Sequence, residues 1–206
     1  MKKMNYFLVC LMSLALLGAC GSFKAKRVGS AEGDDLALNI TDKWVAKDTE
    51  NTVKDIITQL EKHPGIKEYL QGGKKKRPKV FISEIKNDTS DAYFPISEIN
   101  EEFLNELSAS GQFQLVDAAA REHLLKEITY QNDGMVNPAQ AKMIGKQSGA
   151  DALIFGNVQM KPETRDGKTI KQYSLNIRFT ELETSNEIAR LRAKTQKYSE
   201  QKSTGW

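Results

Sequence analysis

The apolar residues of this chain change their spacing along its length, and that change limits the folds it can form. Val80-Phe81-Ile82 and Ala152-Leu153-Ile154-Phe155 are short, uninterrupted apolar runs. Such runs are typical of strands buried on both faces. Between Tyr173 and Phe179, apolar and polar residues alternate instead, which predicts a strand with one buried face. The chain is therefore expected to build a sheet that is covered on both sides in one part only.

Helical spacing fills the segments around these runs. A stripe from Val45 to Leu60 predicts a helix that Thr41 or Asp42 can cap, and Pro64 follows just after its end. A further helix is expected to stop at Gly111. Ser97 is predicted to cap that helix, and Asp117 and Asn137 are predicted to cap two more.

The order of these elements predicts the topology. Phe113 and Leu115 indicate a short additional strand, and Asp166-Gly167 is a hairpin signal. Strands that are joined by helical crossovers tend to pair in parallel. We therefore predict a single α/β domain, in which about four helices flank a mixed sheet of about five strands that ends in an antiparallel hairpin.

The first residues have the features of an export signal. Met1-Lys2-Lys3 is basic, and the apolar run over residues 6–17 is shorter than the roughly 20 residues that span a bilayer. Leu17-Gly18-Ala19-Cys20 resembles a lipobox, so cleavage is expected before Cys20 and a lipid on its thiol. The alternative is an ordinary cleaved signal with a chance cysteine. Because Gly21 and not Asp follows, the outer membrane is the expected location.

Cysteine usage agrees with this interpretation. Only Cys10 and Cys20 occur, so the mature domain has no thiol for a disulfide, a metal or a nucleophile. We expect a signal peptide over residues 1–19, a flexible lipidated tether over 20–40, a globular domain over 41–195 and a polar tail over 196–206.

Charge and motifs favour a binding module over an enzyme. The 30 Lys and Arg residues against 27 Asp and Glu become 28 against 27, or +1, once Lys2 and Lys3 are removed, which gives no footprint for nucleic acid. His63 and His123 are far apart in the sequence, and no catalytic or phosphate-binding motif occurs. The sequence predicts no metal, no cofactor and no small-molecule substrate.

Four segments carry a resemblance to a known family. Residues 78–89 end in Asn87-Asp88-Thr89, residues 110–117 read SGQFQLVD, residues 141–151 read AKMIGKQSGAD, and residues 183–188 read ETSNEI. Together they resemble the LpoB family, outer-membrane lipoproteins that activate bifunctional penicillin-binding proteins. CsgG-like secretion proteins and the N-terminal domain of TolB share this fold and parts of the motifs.

The resemblance implies a function. The domain would face the periplasm, held to the outer membrane by the Cys20 lipid, and would dock on a bifunctional penicillin-binding protein. It would raise peptidoglycan synthesis, and so support cell wall biogenesis and cell shape, without doing chemistry itself. The alternative is a CsgG-like assembly or secretion lipoprotein. The tether here is short and contains no proline, unlike the long proline-rich tethers of the best-known members.

Two polar segments are the candidate contacts with the partner. Asn87-Asp88-Thr89 follows a buried strand, where a rigid element presents a loop. Tyr130-Gln131-Asn132 joins two predicted helices and places an aromatic residue among polar ones. Plain turn and cap chemistry is the alternative for both segments.

We predict that Cys20→Ser abolishes lipid attachment, because the thiol of Cys20 is the only acceptor that the lipobox-like segment offers. Radioactive palmitate should label the unaltered chain and not the variant. Unchanged labelling of the variant would show that the cysteine is there by chance.

Overall fold

Five strands form one mixed sheet in the order β2-β1-β3-β4-β5 in the computed structural model, which describes residues 28–72, 77–116 and 149–200. The strands are β1 Lys79–Asp88, β2 Gln114–Leu115, β3 Ala152–Arg165, β4 Lys168–Glu181 and β5 Glu187–Glu200. The helices are α1 Ser30–Ile40, α2 Ala46–Lys62, α3 Pro64–Gly72 and α4 Ile96–Ala109. The sheet and the helices from α2 onward belong to the compact unit that begins at Asp34.

The strand directions confirm the predicted topology. Strand β1 pairs in parallel with β2 and with β3, where Ile82 lies beside Ile154. The pairs β3–β4 and β4–β5 are antiparallel. Asp166 and Gly167 turn the β3–β4 hairpin with φ of 49° and 74°, as the sequence predicted. Two expected helices, those that Asp117 and Asn137 would cap, lie outside the described residues.

Strand β1 is buried on both faces, as its apolar run predicted. Val80 and Ile82 belong to the main core, which α2 and α4 cover, whereas Phe81 packs with Leu153 in a smaller cluster on the other face. Phe155 was expected to be buried with the rest of its run, and it is only half-buried at the margin of the smaller cluster. The apolar run alone does not show how far along β3 the smaller cluster extends.

A β-bulge in β1 changes which residues face the core. The register with β3 shifts between Ile82 and Ile85, so one extra residue lies in β1 opposite Phe155. Val80, Ile82 and Ile85 therefore all face the main core, although alternation without the bulge would turn Ile85 outward. On β3, Gly156 pairs with Ile85, and a Cβ there would lie 2.2 Å from the backbone oxygen of Asn176.

The helix starts differ from those predicted. Neither Thr41 nor Asp42 caps α2; Val45 precedes its first turn, and its N–H donates to Asp48 Oδ2 at 2.9 Å. Asp42 instead accepts hydrogen bonds from Lys171 and Ser199, each at 2.9 Å, and the bond from Lys171 lowers the pKa of its carboxyl. Sequence spacing could not reveal these distant partners.

The helix α4 also begins earlier than predicted. Pro95 precedes its first residue, Ile96, so Ser97 lies inside the first turn. Gly111, with a φ of 66°, follows the end of α4 and confirms the predicted stop.

Both ends of the domain are more ordered than the sequence suggested. Part of the predicted flexible tether, Ser30–Ile40, forms α1, because good helix formers such as Ala31 and Leu36 outweigh Gly33. None of its residues is buried, and its role as a tether stays a prediction. At the other end, β5 continues to Glu200 and not to 195. There Lys197, which is 7% exposed, forms an ion pair with Asp48 at 2.7 Å.

No helix within the described ranges is long and apolar enough to cross a bilayer.

We predict that Ile154→Ala lowers the free energy of unfolding by about 2–5 kcal/mol, because Ile154 is fully buried between β1 and β4. Urea denaturation of the variant measures this loss. Ile170→Ala is the matched control, since Ile170 is 38% exposed on β4, and its cost should be well below that of Ile154→Ala. Equal losses for the two variants would contradict the placement of the core.

Candidate functional site: a hydrogen-bonded loop beside a polar row

The candidate site lies at the carboxyl end of β1, and Asn100 of α4 holds that end in place. The Ile85 N–H donates to Asn100 Oδ1 at 2.9 Å, and Asn100 Nδ2 donates to the Ile85 carbonyl at 3.3 Å. These bonds satisfy peptide groups of β1 beyond the point where β2, which pairs only with Lys79 and Val80, ends. They also place Asn87 on the same side as Ile85, and Asp88 on the opposite side of the sheet.

The loop that follows, residues 87–94, is fixed by its own side chains, and we name it the β1–α4 loop. Asn87 Oδ1 accepts from the Thr89 N–H at 3.0 Å and from the Thr89 hydroxyl at 2.6 Å. Asn87 Nδ2 donates to the Asp91 carbonyl at 2.9 Å, and Asp91 Oδ1 accepts from the Tyr93 N–H at 2.9 Å. Asn and Asp commonly stabilise turns in this way. The loop is therefore held in one conformation before any partner binds.

The last two residues of the loop point in opposite directions. Phe94 is buried, and its ring packs against those of Trp44 and Tyr173 at centroid distances of 5.2 and 5.8 Å. Tyr93 is 94% exposed. An exposed aromatic residue on a rigid support loses little conformational entropy on binding, and tyrosine is enriched among the residues that dominate protein interfaces.

Beside the loop, four polar side chains cross the face of the sheet opposite the main core, which we call the outer face. We name these side chains the polar row: Asp88, Asn157, Asn176 and Arg192. Asn157 Nδ2 donates to the Asp88 carboxylate. Asn176 Nδ2 donates to Asn157 Oδ1 at 3.1 Å, and Arg192 Nε donates to Asn176 Oδ1 at 2.7 Å. A carboxylate only accepts and a guanidinium only donates, so the two ends determine the orientation of both amides between them.

The polar row lies next to other exposed charges. On β5, Arg190 binds Glu187 through two nitrogens at 2.8 and 2.9 Å, and this bond lowers the pKa of Glu187. Arg178 is exposed on β4, and its guanidinium lies 5.8 Å from the Phe155 ring. The outer face therefore carries several cations on β4 and β5, and the carboxylate of Asp88 lies at the far end of the polar row. Exposed charges of this kind guide association and orientation more than they add affinity.

The described residues offer little for catalysis. Among them, no group of His, Cys, Asp and Glu side chains could hold a metal ion. Burial raises the pKa of Tyr69 to about 12 and also raises the pKa of Tyr173, so both hydroxyls stay neutral near pH 7. A groove of about 450 Å³ lies between α2 and β5 and is lined by polar residues such as Gln59, His63 and Arg190.

The sequence-predicted contact residues have different outcomes. The structure brings Asn87, Asp88 and Thr89 together, but the first two end β1 and only Thr89 lies beyond the strand. Tyr130-Gln131-Asn132 and Cys20 lie outside the described residues. That any of them binds a partner stays a prediction. Sequence reasoning missed Tyr93, because the neighbouring pair Tyr93-Phe94 does not show which ring is buried.

Comparison with known proteins decides the family. The model of the family "Peptidoglycan-synthase activator LpoB" matches residues 48–188. The chain belongs to the LpoB family. The protein for which the family is named is a regulatory activator and not a catalyst. The matched segment contains the β1–α4 loop and all of β1, β3 and β4.

A solved structure of this family has the same fold. The LpoB C-terminal domain from Salmonella enterica is 15% identical over 73% of this chain and 99% of that chain, with a TM-score of 0.50. The LpoB C-terminal domain from Escherichia coli is 14% identical over 69% of this chain and 96% of that one, with a TM-score of 0.47. A search of curated protein sequences gives no match.

Proposed function

We propose that this chain is a lipid-anchored activator that binds a bifunctional penicillin-binding protein and raises its rate of peptidoglycan synthesis. The observation that carries this proposal is the family match over residues 48–188. The activator acts by binding and catalyses no step itself. The partner supplies the active sites, and the domain stabilises their productive state.

The β1–α4 loop is the proposed contact with the synthase. Its hydrogen bonds to Asn87 and Asp91 fix the backbone before binding, so little ordering is needed when the complex forms. Tyr93 would insert into a pocket of the partner. The polar row, which begins at Asp88, would lie at the margin of the interface, where charges set the orientation of the two proteins.

The anchor is proposed to be a lipid on Cys20, held in the outer membrane and facing the periplasm. The helix α1 affects how far the domain reaches from that membrane. Its 11 residues span about 16 Å as a helix, against roughly 37 Å when fully extended. A tether that contains this helix is therefore shorter than a fully extended one, and the synthase would have to meet the domain near the outer membrane.

Glycan-strand synthesis tests the function. Purified synthase and lipid II are combined with and without the chain of residues 21–206. The chain is expected to raise polymerisation by the synthase and to leave lipid II unchanged when it is added alone. No stimulation of any bifunctional synthase from the same organism, together with ring-shaped oligomers of the lipidated protein in electron microscopy, would favour the CsgG-like secretion function.

We predict that Tyr93→Ala raises the dissociation constant for the synthase by about 30-fold or more, because an exposed aromatic anchor contributes about 2 kcal/mol or more. Thr89→Val should weaken binding less, since it keeps Tyr93 and removes the hydroxyl that bonds Asn87. Ser90→Ala is the matched control, because Ser90 is exposed in the same loop and forms no hydrogen bond within the described residues. Unchanged affinity for Tyr93→Ala, with a normal thermal melt, would exclude the loop as the contact.

A further inference from the structure

Among the described strands, β5 lies at the edge of the sheet, with β4 as its one neighbour. One point on its outer side is already occupied. The Gln59 side chain of α2 accepts from the Arg192 N–H at 3.3 Å and donates to the Arg192 carbonyl at 3.0 Å. The backbone groups of Arg192 therefore point away from β4. In an antiparallel pair this direction alternates, so every second residue from Arg192 has the same orientation.

The next outward residues, Lys194, Gln196 and Tyr198, are exposed, and their backbone N–H and carbonyl groups have no hydrogen-bond partner among the described residues. The pairing of β5 with β4 is regular from Ala189 to Glu200, so the alternation holds throughout. No proline and no bulge interrupts this stretch. Its protection is charge alone, from the exposed side chains of Arg192 and Lys194. We name residues 192–200 the open edge.

We propose that two copies of this chain pair through their open edges, antiparallel about a two-fold axis at Gln196, to form one continuous sheet of ten strands. Outward residues must lie opposite outward residues for the backbone bonds to form. This register places Arg192 opposite Glu200 of the second copy and Lys194 opposite its Tyr198. The two flanking contacts thus join opposite charges and a cation with an aromatic ring, and at the axis Gln196 lies opposite Gln196.

Other symmetric registers are less favourable. A two-fold axis at Lys194 would place this cation opposite itself, and an axis at Lys197 would do the same with a buried cation. Like charges directly opposite each other destabilise a sheet. A two-fold axis at Thr195 would place Arg190 opposite Glu200 of the second copy, and Arg190 already binds Glu187 at 2.8 and 2.9 Å. The register about Gln196 avoids both like-charge contacts and leaves the bond between Arg190 and Glu187 in place.

The pairing rearranges two exposed contacts of Glu200, which accepts from the Tyr198 hydroxyl at 2.9 Å and lies 3.9 Å from Lys168 Nζ. The other side-chain contacts of the open edge are compatible with it. Arg192 uses Nε for its bond to Asn176, so its terminal nitrogens can reach a carboxylate. Lys197 points toward α2, where Asp48 neutralises it at 2.7 Å. Gln59 must leave Arg192 when the second strand arrives. The Gln59 amide makes the same two hydrogen bonds to Arg192 that a peptide group of a neighbouring strand would make. Pairing with the second copy therefore replaces these two bonds with similar ones.

A cysteine at residue 196 tests the register. Residues 21–206 contain no cysteine, so Gln196→Cys introduces a single thiol into that chain. Under mild oxidation, two such thiols at the two-fold axis should form a disulfide, because directly opposed residues bring their Cα atoms within disulfide range. Ser90→Cys, an exposed position away from β5, is the control for random collision and should give much less dimer.

Charge exchange tests the same contact without a covalent bond. In sedimentation velocity, Arg192→Glu and Glu200→Arg should each raise the dimer dissociation constant about tenfold, and the double variant should restore it, since the ion pair is then reversed. Gln59→Ala should strengthen the dimer by removing the competing amide. Circular dichroism shows whether each variant is folded.

Several results would overturn the proposal. The chain could stay monomeric at every concentration, with Gln196→Cys no more crosslinked than Ser90→Cys. The double charge variant could be as weak as either single one. Crosslinking at residue 196 only to an added synthase would assign the open edge to a different protein. None of these measurements depends on activation of a synthase, so a failed dimer and a failed activator give separate results.

Discussion

The contact between Asn100 and the peptide of Ile85 determines how the candidate site is arranged. The short strand β2 pairs with β1 only at Lys79 and Val80, and beyond it one amide side chain satisfies both the N–H and the carbonyl of Ile85. The bulge reverses the alternation, so Ile85 joins the core, Asn87 turns toward the loop and Asp88 turns toward the outer face. Without it, Asn87 could not hold the β1–α4 loop, and Asp88 could not end the polar row.

The pattern of apolar residues was enough to predict the strands, their directions and the double burial of β1. It did not predict the bulge: Ser83 and Glu84 break the alternation before Ile85, but two adjacent polar residues also occur where a strand simply ends. Nor could it predict that β5 extends to Glu200, since the polar residues beyond 195 resemble a tail until Lys197 is seen to pair with Asp48 across the fold. Likewise, Asp42 looks like a helix cap in the sequence, and its partners Lys171 and Ser199 are more than 120 residues away.

The same limit explains why only part of the candidate site was found. Asn87, Asp88 and Thr89 are recognisable because turn-forming residues follow a buried strand. Tyr93 is not, because its exposure depends on which of two adjacent rings fits beside Trp44 and Tyr173. The polar row depends on the register of four strands, which brings together residues from positions 88 to 192. Local spacing contains no information about that register.

The central claim is that the domain meets its synthase through the rigid loop at the end of β1. Amide hydrogen exchange of the chain, measured with and without a saturating amount of synthase, tests it most directly. Protection should concentrate in residues 87–94, with a smaller change along the polar row. Strong binding that leaves the exchange of residues 87–94 unchanged would contradict it.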